Sequence, residues 1–562
     1  MDSATMSIAV SRCFLFALVF ALSISSANAQ QLELSRSDRL AMLYTPQLPF
    51  APSGEPLIKV GLADGLSDAT FSSSERFDIM PLGVGGSVIE VPGDRELTIT
   101  LSDSEPGTYE YGVVVAELTP AQRGEVRATQ ATWEARDYPT RIAQVGAIFA
   151  AAGQRFDTRK TLILVGQSSS RDEVLTLARD IDQRFAMETR LHSELDDYPG
   201  GTLTVTGLPG GVTIRHRDLI WVRGGPDTVF SLENVPHDRG TRYEGTEDRE
   251  YVGALVFSVD RNGALSVVNE VELERLVQGI VPAEVYASAP AAALQAQAIA
   301  ARSEVLSDLG VRHLAEPYMT CSDQMCQVYR GIGHEDGRTT AAVQATRGMI
   351  VAEGDQVIHA NFSANNGGFR GDNEVTWGEQ PREYLSAVVD TPEPNASYDA
   401  GLFTDADVSA FLSSPPDVLA DIERYGGGRF RWTTEMTGEE LSLAVERRHP
   451  GLGPILSLEV LERGRSGRAS RMRIEGVNGQ IVVERELNIR RALGGLYSAM
   501  FVVHAEHAAD GIIARLLLTG GGFGHGVGMC QTGAIGAADR GWDARRIIEH
   551  YYPGTEIRSL YP

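Results

Sequence analysis

Glu284 stands among apolar residues in GIVPAEV, residues 279–285. An apolar setting disfavours a charged carboxylate and raises its pKa, which suits a proton donor working near neutral pH. An exposed glutamate capping the helix that follows would read the same way. Cys321 and Cys326 follow His313 and precede His334, a spacing able to ligate zinc or to close a small disulfide loop in an oxidising compartment. In FSANNGG (362–368), Ser363, Asn365, Asn366, Gly367 and Gly368 lie ahead of Trp377 and Tyr384. Asparagine-glycine turns offer amide and backbone donors that suit sugar hydroxyls and acetamides, and they also serve as plain structural turns. The last candidate is GGGFGHGVGMCQTGA (520–534), where His525 stands among glycines. No Gly-Lys-Ser/Thr ending marks a phosphate loop, no Gly-x-Ser-x-Gly marks a nucleophile elbow, and the glycine order is wrong for a dinucleotide fingerprint.

Several elements must position these residues. Residues 31–110 alternate short β-rich runs with Gly, Ser and Asp turns. From 127 to 196 the pattern predicts a helix over 140–153, a strand over 161–166 and a helix over 170–185, where Ser170 and Asp172 suit an N-terminus. A second β-rich stretch covers 201–271, with a hairpin tip at Arg261-Asn262-Gly263. Leu294, Ala298, Ala301 and Val305 then recur at helical spacing, predicting a helix over 291–309 packed along one face, with Pro290 at its start and Gly310 at its end. Beyond 340 the chain mixes α and β.

The 562 residues suffice for two to four domains, and 43% hydrophobic content is that of a globular protein. A formal net charge of −25 argues against nucleic acid as a partner and against an anionic membrane surface. CFLFALVFALSI (13–24), followed by Ala27-Asn28-Ala29, reads as an export signal, with Met6 as an alternative start. No other segment has the length of uncharged apolar sequence that would cross a bilayer. The mature chain is therefore expected outside the cytoplasm, in the periplasm or cell envelope. Cys13 leaves with the signal, so the cysteines left are Cys321, Cys326 and Cys530.

Taken together, LVQGIVPAEV, ALQAQAIAAR, CQVYRG, FSANNGG, Trp377, YLSAVVD (384–390), NIRRALG (488–494) and the block 522–557 resemble the stage II sporulation protein D / LytB family over roughly residues 250–562. The resemblance implies a multidomain α+β protein. A signal peptide (1–29), a β-rich N-terminal module (30–126) and a small α/β module (127–196) would precede a catalytic region over 197–562. The order within 127–196 is loosely similar to glycan-binding SPOR domains, and a plain α/β spacer fits it equally. Family members are lytic transglycosylases acting on peptidoglycan glycan stripped of stem peptides, or enhancers of the amidases that strip it. The implied partners are thus glycan strands and a cell-wall amidase. The family's acid falls on Glu284, which would protonate the leaving oxygen and then take the proton of the substrate's own 6-hydroxyl, leaving a 1,6-anhydro end. One carboxyl group suffices for that reaction, whereas hydrolysis uses a pair. Sugar contacts would fall on Ser363, Asn365, Asn366, Gly367, Gly368, Tyr384, His525 and Gln531. No cofactor is required for this chemistry. Some members hold a structural zinc at the cysteine block. Met325 stands where the family often has a histidine, which leaves Cys321, Cys326 and His313, with a Cys321–Cys326 disulfide as the alternative.

Overall fold

A computed structural model describes residues 35–81, 87–185, 187, 189–237, 244–378 and 380–561; the expected export signal lies outside them. The β-rich runs fold as strands because alternate side chains bury one face of each. They form two sheets packed face to face. The seven-stranded sheet runs from Thr320–Cys321 through Leu57–Leu66, Leu265–Glu272, Ala254–Val259 and Leu219–Arg223 to Phe77–Met80 and Ile89–Val91. The six-stranded sheet runs Ile214–Arg217, Gly200–Thr206, Arg95–Glu105, Asp68–Ser73, Phe230–His237 and Gly245–Tyr251. Phe71 and Phe230 of the second sheet meet Phe77 and Phe257 of the first, and Phe71 and Phe257 have ring centroids 5.1 Å apart. The β-rich stretches expected as separate modules are therefore one sandwich. The hairpin tip is as read: Gly263 takes φ +83° and the Asp260 side chain accepts from the Asn262 and Ala264 N–H groups.

Between adjacent strands Arg95–Glu105 and Gly200–Thr206 the chain leaves the sandwich and returns. The excursion is a four-stranded antiparallel sheet in the order Arg190–Asp197, Thr108–Leu118, Lys160–Ser168, Thr140–Val145, with helices Val126–Glu134 and Arg171–Phe185. This is the βαββαβ arrangement of ferredoxin-like units, and it begins at Thr108, ahead of the expected boundary at 127. Neighbouring exit and entry strands make such an insertion easy to accommodate. The helix expected over 140–153 is instead two strands, Thr140–Val145 and Ile148–Ala151, broken at Gly146 with φ +83°. Pairing with Lys160–Ser168 and Gln154–Asp157 satisfies their backbone, and tertiary pairing outweighs the helical spacing. The hairpin docks on the rest of the chain: the Asp157 N–H donates to the Asp355 carbonyl (2.9 Å) and the Thr158 hydroxyl to that of Leu309 (3.1 Å).

Helix Ala291–Ser307 is the axis of the following region. It was expected to bury one face, yet Leu294, Gln297, Ala298, Arg302, Ser303 and Val305 are all buried. Helices Leu273–Glu284, Gly337–Ala345, Gln531–Asp539 and Ala544–Tyr551 surround it, and its run of alanines lets them approach closely. Arg302, fully buried, grips Glu274 with two hydrogen bonds of 2.8 and 2.9 Å and the Met349 carbonyl with a third. That pair ties the axis to the helix that ends in Glu284. Residues 431–521 add a further body, with sheets Arg431–Thr437/Ile513–Gly521/Phe501–His507 and Ile455–Arg463/Ala469–Gly476/Gly479–Glu484. Its own core forms around Leu441, Met472, Ile474 and Leu516.

Candidate active site

Glu284 is the last residue of helix Leu273–Glu284, where Pro282 occupies the final turn and Val285 is already extended. It is thus a helix terminus rather than a loop ahead of the next helix. Its carboxylate accepts the Val328 N–H (2.9 Å) and a hydrogen bond from the Gln531 side chain. Burial is the largest influence and raises its pKa; the two donors, which favour the charged form, offset only part of that. Gln531, 9% exposed, opens helix Gln531–Asp539 and also donates to the Gln297 side chain (3.4 Å). Blocks far apart in sequence thus converge on one carboxyl group. Val328 is held there by its own neighbours: the Gln327 amide donates to the Ala301 carbonyl and the Tyr329 hydroxyl to Asn269.

Glu284 lines an open cleft of about 3350 Å³ with Val328, Trp377, Tyr384, Tyr497, Phe523 and His525. Thr119, Lys160 and Arg190 of the inserted module stand on it as well. Aromatic residues stand on and near this cleft. Tyr497 lies 5.2 Å from Phe523, over which the Arg429 guanidinium sits, and Tyr286, 48% exposed, stacks on Tyr425. Such faces, apolar on top with polar edges, suit the flat underside of a pyranose. Tyr286, Tyr497 and Phe523 were missed by the sequence reading, because an isolated aromatic residue carries no spacing signal.

The asparagine-glycine turn is not a sugar surface. Asn365 and Asn366 are fully buried, and their side-chain oxygens accept the Gly367 and Gly368 N–H groups. The Asn365 amide donates to the Ala420 carbonyl and the Asn366 amide to Asp390. Asp390 also accepts from Tyr551 and bonds His550; burial pushes its pKa up, and these contacts outweigh it and hold it low. Ser363 is buried and accepts the Gly526 N–H. Gly367 and Gly368 have positive φ (+69° and +94°), and a Cβ on Gly367 would come within 3.0 Å of Gly521 and Gly522 backbone. These residues clamp the glycine-rich segment from behind, which is the structural use of such a turn. Tyr384, 8% exposed, does line the cleft, its hydroxyl accepting from Arg382.

His525 lines the cleft beside Trp377, with ring centroids 5.0 Å apart. Its Nδ1 accepts the Val527 N–H (3.1 Å), and the ring also bonds the Phe362 backbone. Burial, helped by Arg468 and Arg490, lowers its pKa to about 3, so the imidazole is neutral. Both nitrogens serve the backbone, so the sugar contact expected of His525 is not offered through them; the ring gives the cleft a face.

Cys321 and Cys326 are bonded to each other, and Cys530 is a buried free thiol whose pKa burial raises to about 12. His313 Nε2 lies 3.2 Å from the Cys326 sulfur, and the three ligand atoms fall within 4.8 Å of one another. Zinc requires thiolates, which a disulfide does not supply, and only these three donors converge here among the described residues. In this oxidised state the residues do not fit the ion. The bridge closes the loop Cys321–Cys326, which ends two residues before Val328.

Residues 261–352 match the stage II sporulation protein (SpoIID) family, and residues 372–528 match a domain of unknown function. An uncharacterized protein of Brachyspira hyodysenteriae is 28% identical over 388 residues, 66% of this chain and 94% of that one. The stage II sporulation protein D of Bacillus subtilis is 28% identical over 306 residues, 52% of this chain and 75% of that one. The amidase enhancer of Bacillus subtilis is 24% identical over 299 residues, half of this chain and 40% of its own length. The SpoIID match contains both Glu284 and Val328, so the stretch that sets the carboxyl group at the cleft is the part of the chain similar to the SpoIID/LytB family.

Proposed function

We propose that this protein is an exported cell-wall enzyme that cleaves peptidoglycan glycan, stripped of stem peptides, by lytic transglycosylation. The observation that carries the reading is Glu284: a carboxyl group with a raised pKa, set in an open polymer-sized cleft whose lining includes Trp377, Tyr497 and Phe523. Protonated Glu284 delivers its proton to the oxygen between N-acetylmuramic acid and N-acetylglucosamine as that bond breaks. The carboxylate so formed is stabilised by the Val328 N–H and Gln531, and it takes the proton of the substrate's 6-hydroxyl as that oxygen closes on the anomeric carbon. The product ends in a 1,6-anhydro sugar and Glu284 is protonated again. Mass analysis of products from denuded glycan and from intact peptidoglycan tests this. Anhydro ends from the denuded strand are expected; hydrolytic ends, or no cleavage, would overturn it.

A second reading, favoured by the amidase enhancer relative, is a glycan-binding partner that stimulates a cell-wall amidase without cutting. It predicts that amidase turnover rises on mixing and that the Glu284→Gln protein stimulates as well as the parent.

A further inference from the structure

We propose that the end of the cleft built from residues 431–521 is an anion subsite that takes the lactyl carboxylates of a peptide-free glycan strand. This rests on the glycan reading above and assigns a use to the segment 372–528. Arg447 caps helix Gly438–Glu446, Arg448 follows it, and Arg491 lies in the last turn of helix Glu486–Ala492. All three line the cleft that holds Glu284, and all three are exposed. Among the described residues none of them forms an ion pair, although the chain carries a net charge of −25.

The acidic side chains nearby are already engaged. Glu435 pairs with Arg515 (2.6 Å), Glu440 accepts from the Thr437 N–H (2.8 Å), and Glu486 pairs with Arg490 (3.2 Å). What the cleft presents there is an excess of positive charge, Arg447, Arg448, Arg485, Arg490 and Arg491 outnumbering Glu435, Glu440 and Glu486, in fork-shaped groups that match carboxylates. Leu443 (56% exposed) and Leu487 (40% exposed) line the same end, apolar surface of a size for lactyl and acetamide methyl groups. A glycan without stem peptides carries one free carboxylate on every muramic acid. Amide linkage to a stem peptide removes that charge, and chitin never has it. The pattern thus selects strands from which peptides have been stripped.

Binding is to be measured on the full chain carrying Glu284→Gln, so that the strand is not cut. Three fluorescent probes serve: denuded glycan, the same glycan with its lactyl carboxylates converted to methylamides, and chito-oligosaccharides. Three exposed charge contacts together give the denuded strand an affinity about tenfold above the two neutral probes. The additional changes Arg447→Gln, Arg448→Gln and Arg491→Gln should close that gap while leaving neutral-probe affinity and the melting temperature unchanged. Equal parental affinity for all three probes overturns the subsite and leaves the glycan reading standing, as does a gap that survives the triple change. Failure to bind any probe overturns both.

Discussion

Glu284→Gln separates a catalytic acid from a helix-terminal side chain by moving rate and stability in different directions. The amide keeps the shape and an oxygen to accept the Val328 N–H, but it has no proton to donate. Loss of a positioned general acid lowers the rate by about 100- to 10,000-fold. The sign of the stability effect follows from the raised pKa. The folded protein holds this proton more tightly than the unfolded chain does. Its contribution is therefore full below the unfolded pKa and is lost as pH rises through the folded one. Glutamine is neutral throughout, so the variant's stability relative to the parent should rise from about pH 4 to about pH 8. The assay is release of anhydro-ended products from denuded glycan, beside urea unfolding at both pH values. The activity of the parent should fall on the alkaline side as the donor loses its proton. A variant that still releases anhydro ends at the parental rate refutes the assignment.

Gln531→Leu removes a donor that favours the Glu284 carboxylate, so the alkaline limb of the pH–rate profile should move upward, at a stability cost of about 1 kcal/mol; an unmoved limb would mean that Gln531 does not touch the acid in solution. Cys321→Ser with Cys326→Ser opens a loop of sequence separation 5, costing about 2 kcal/mol and loosening the segment that presents Val328; peptide mapping without reductant should recover the bridged pair, and stoichiometric zinc in the purified protein would contradict it. Arg302→Met leaves Glu274 buried without its partner and should cost about 3–5 kcal/mol; a cost under about 1 kcal/mol in urea unfolding would show that the pair does not brace the helix bearing Glu284.

Local pattern carried a good deal of this molecule. The helix after Pro290, the hairpin at Asn262-Gly263 and the order of motifs are short-range properties, because period, caps and turn residues act over a few positions. Glu284 was a candidate from its apolar neighbours, a setting that a helix-capping glutamate shares, and the proposed acid role came from the family motif it sits in. The sequence could not say that 57–105 and 200–272 share one sandwich, since strand pairing across an inserted module leaves no local trace. Nor could it separate the two uses of asparagine. Asn365 and Asn366 have the chemistry of a sugar contact, and only their complete burial, with every polar atom directed at backbone or Asp390, shows them to be clamps. The same holds for His525, whose nitrogens are committed to Val527 and Phe362. The sequence by itself determined the residue types and many of the elements, and it offered Glu284 as the candidate acid. The tertiary structure alone decided which groups face the cleft, because exposure and hydrogen-bond satisfaction depend on contacts between segments hundreds of residues apart, as with Gln531 and Gln297 at a separation of 234.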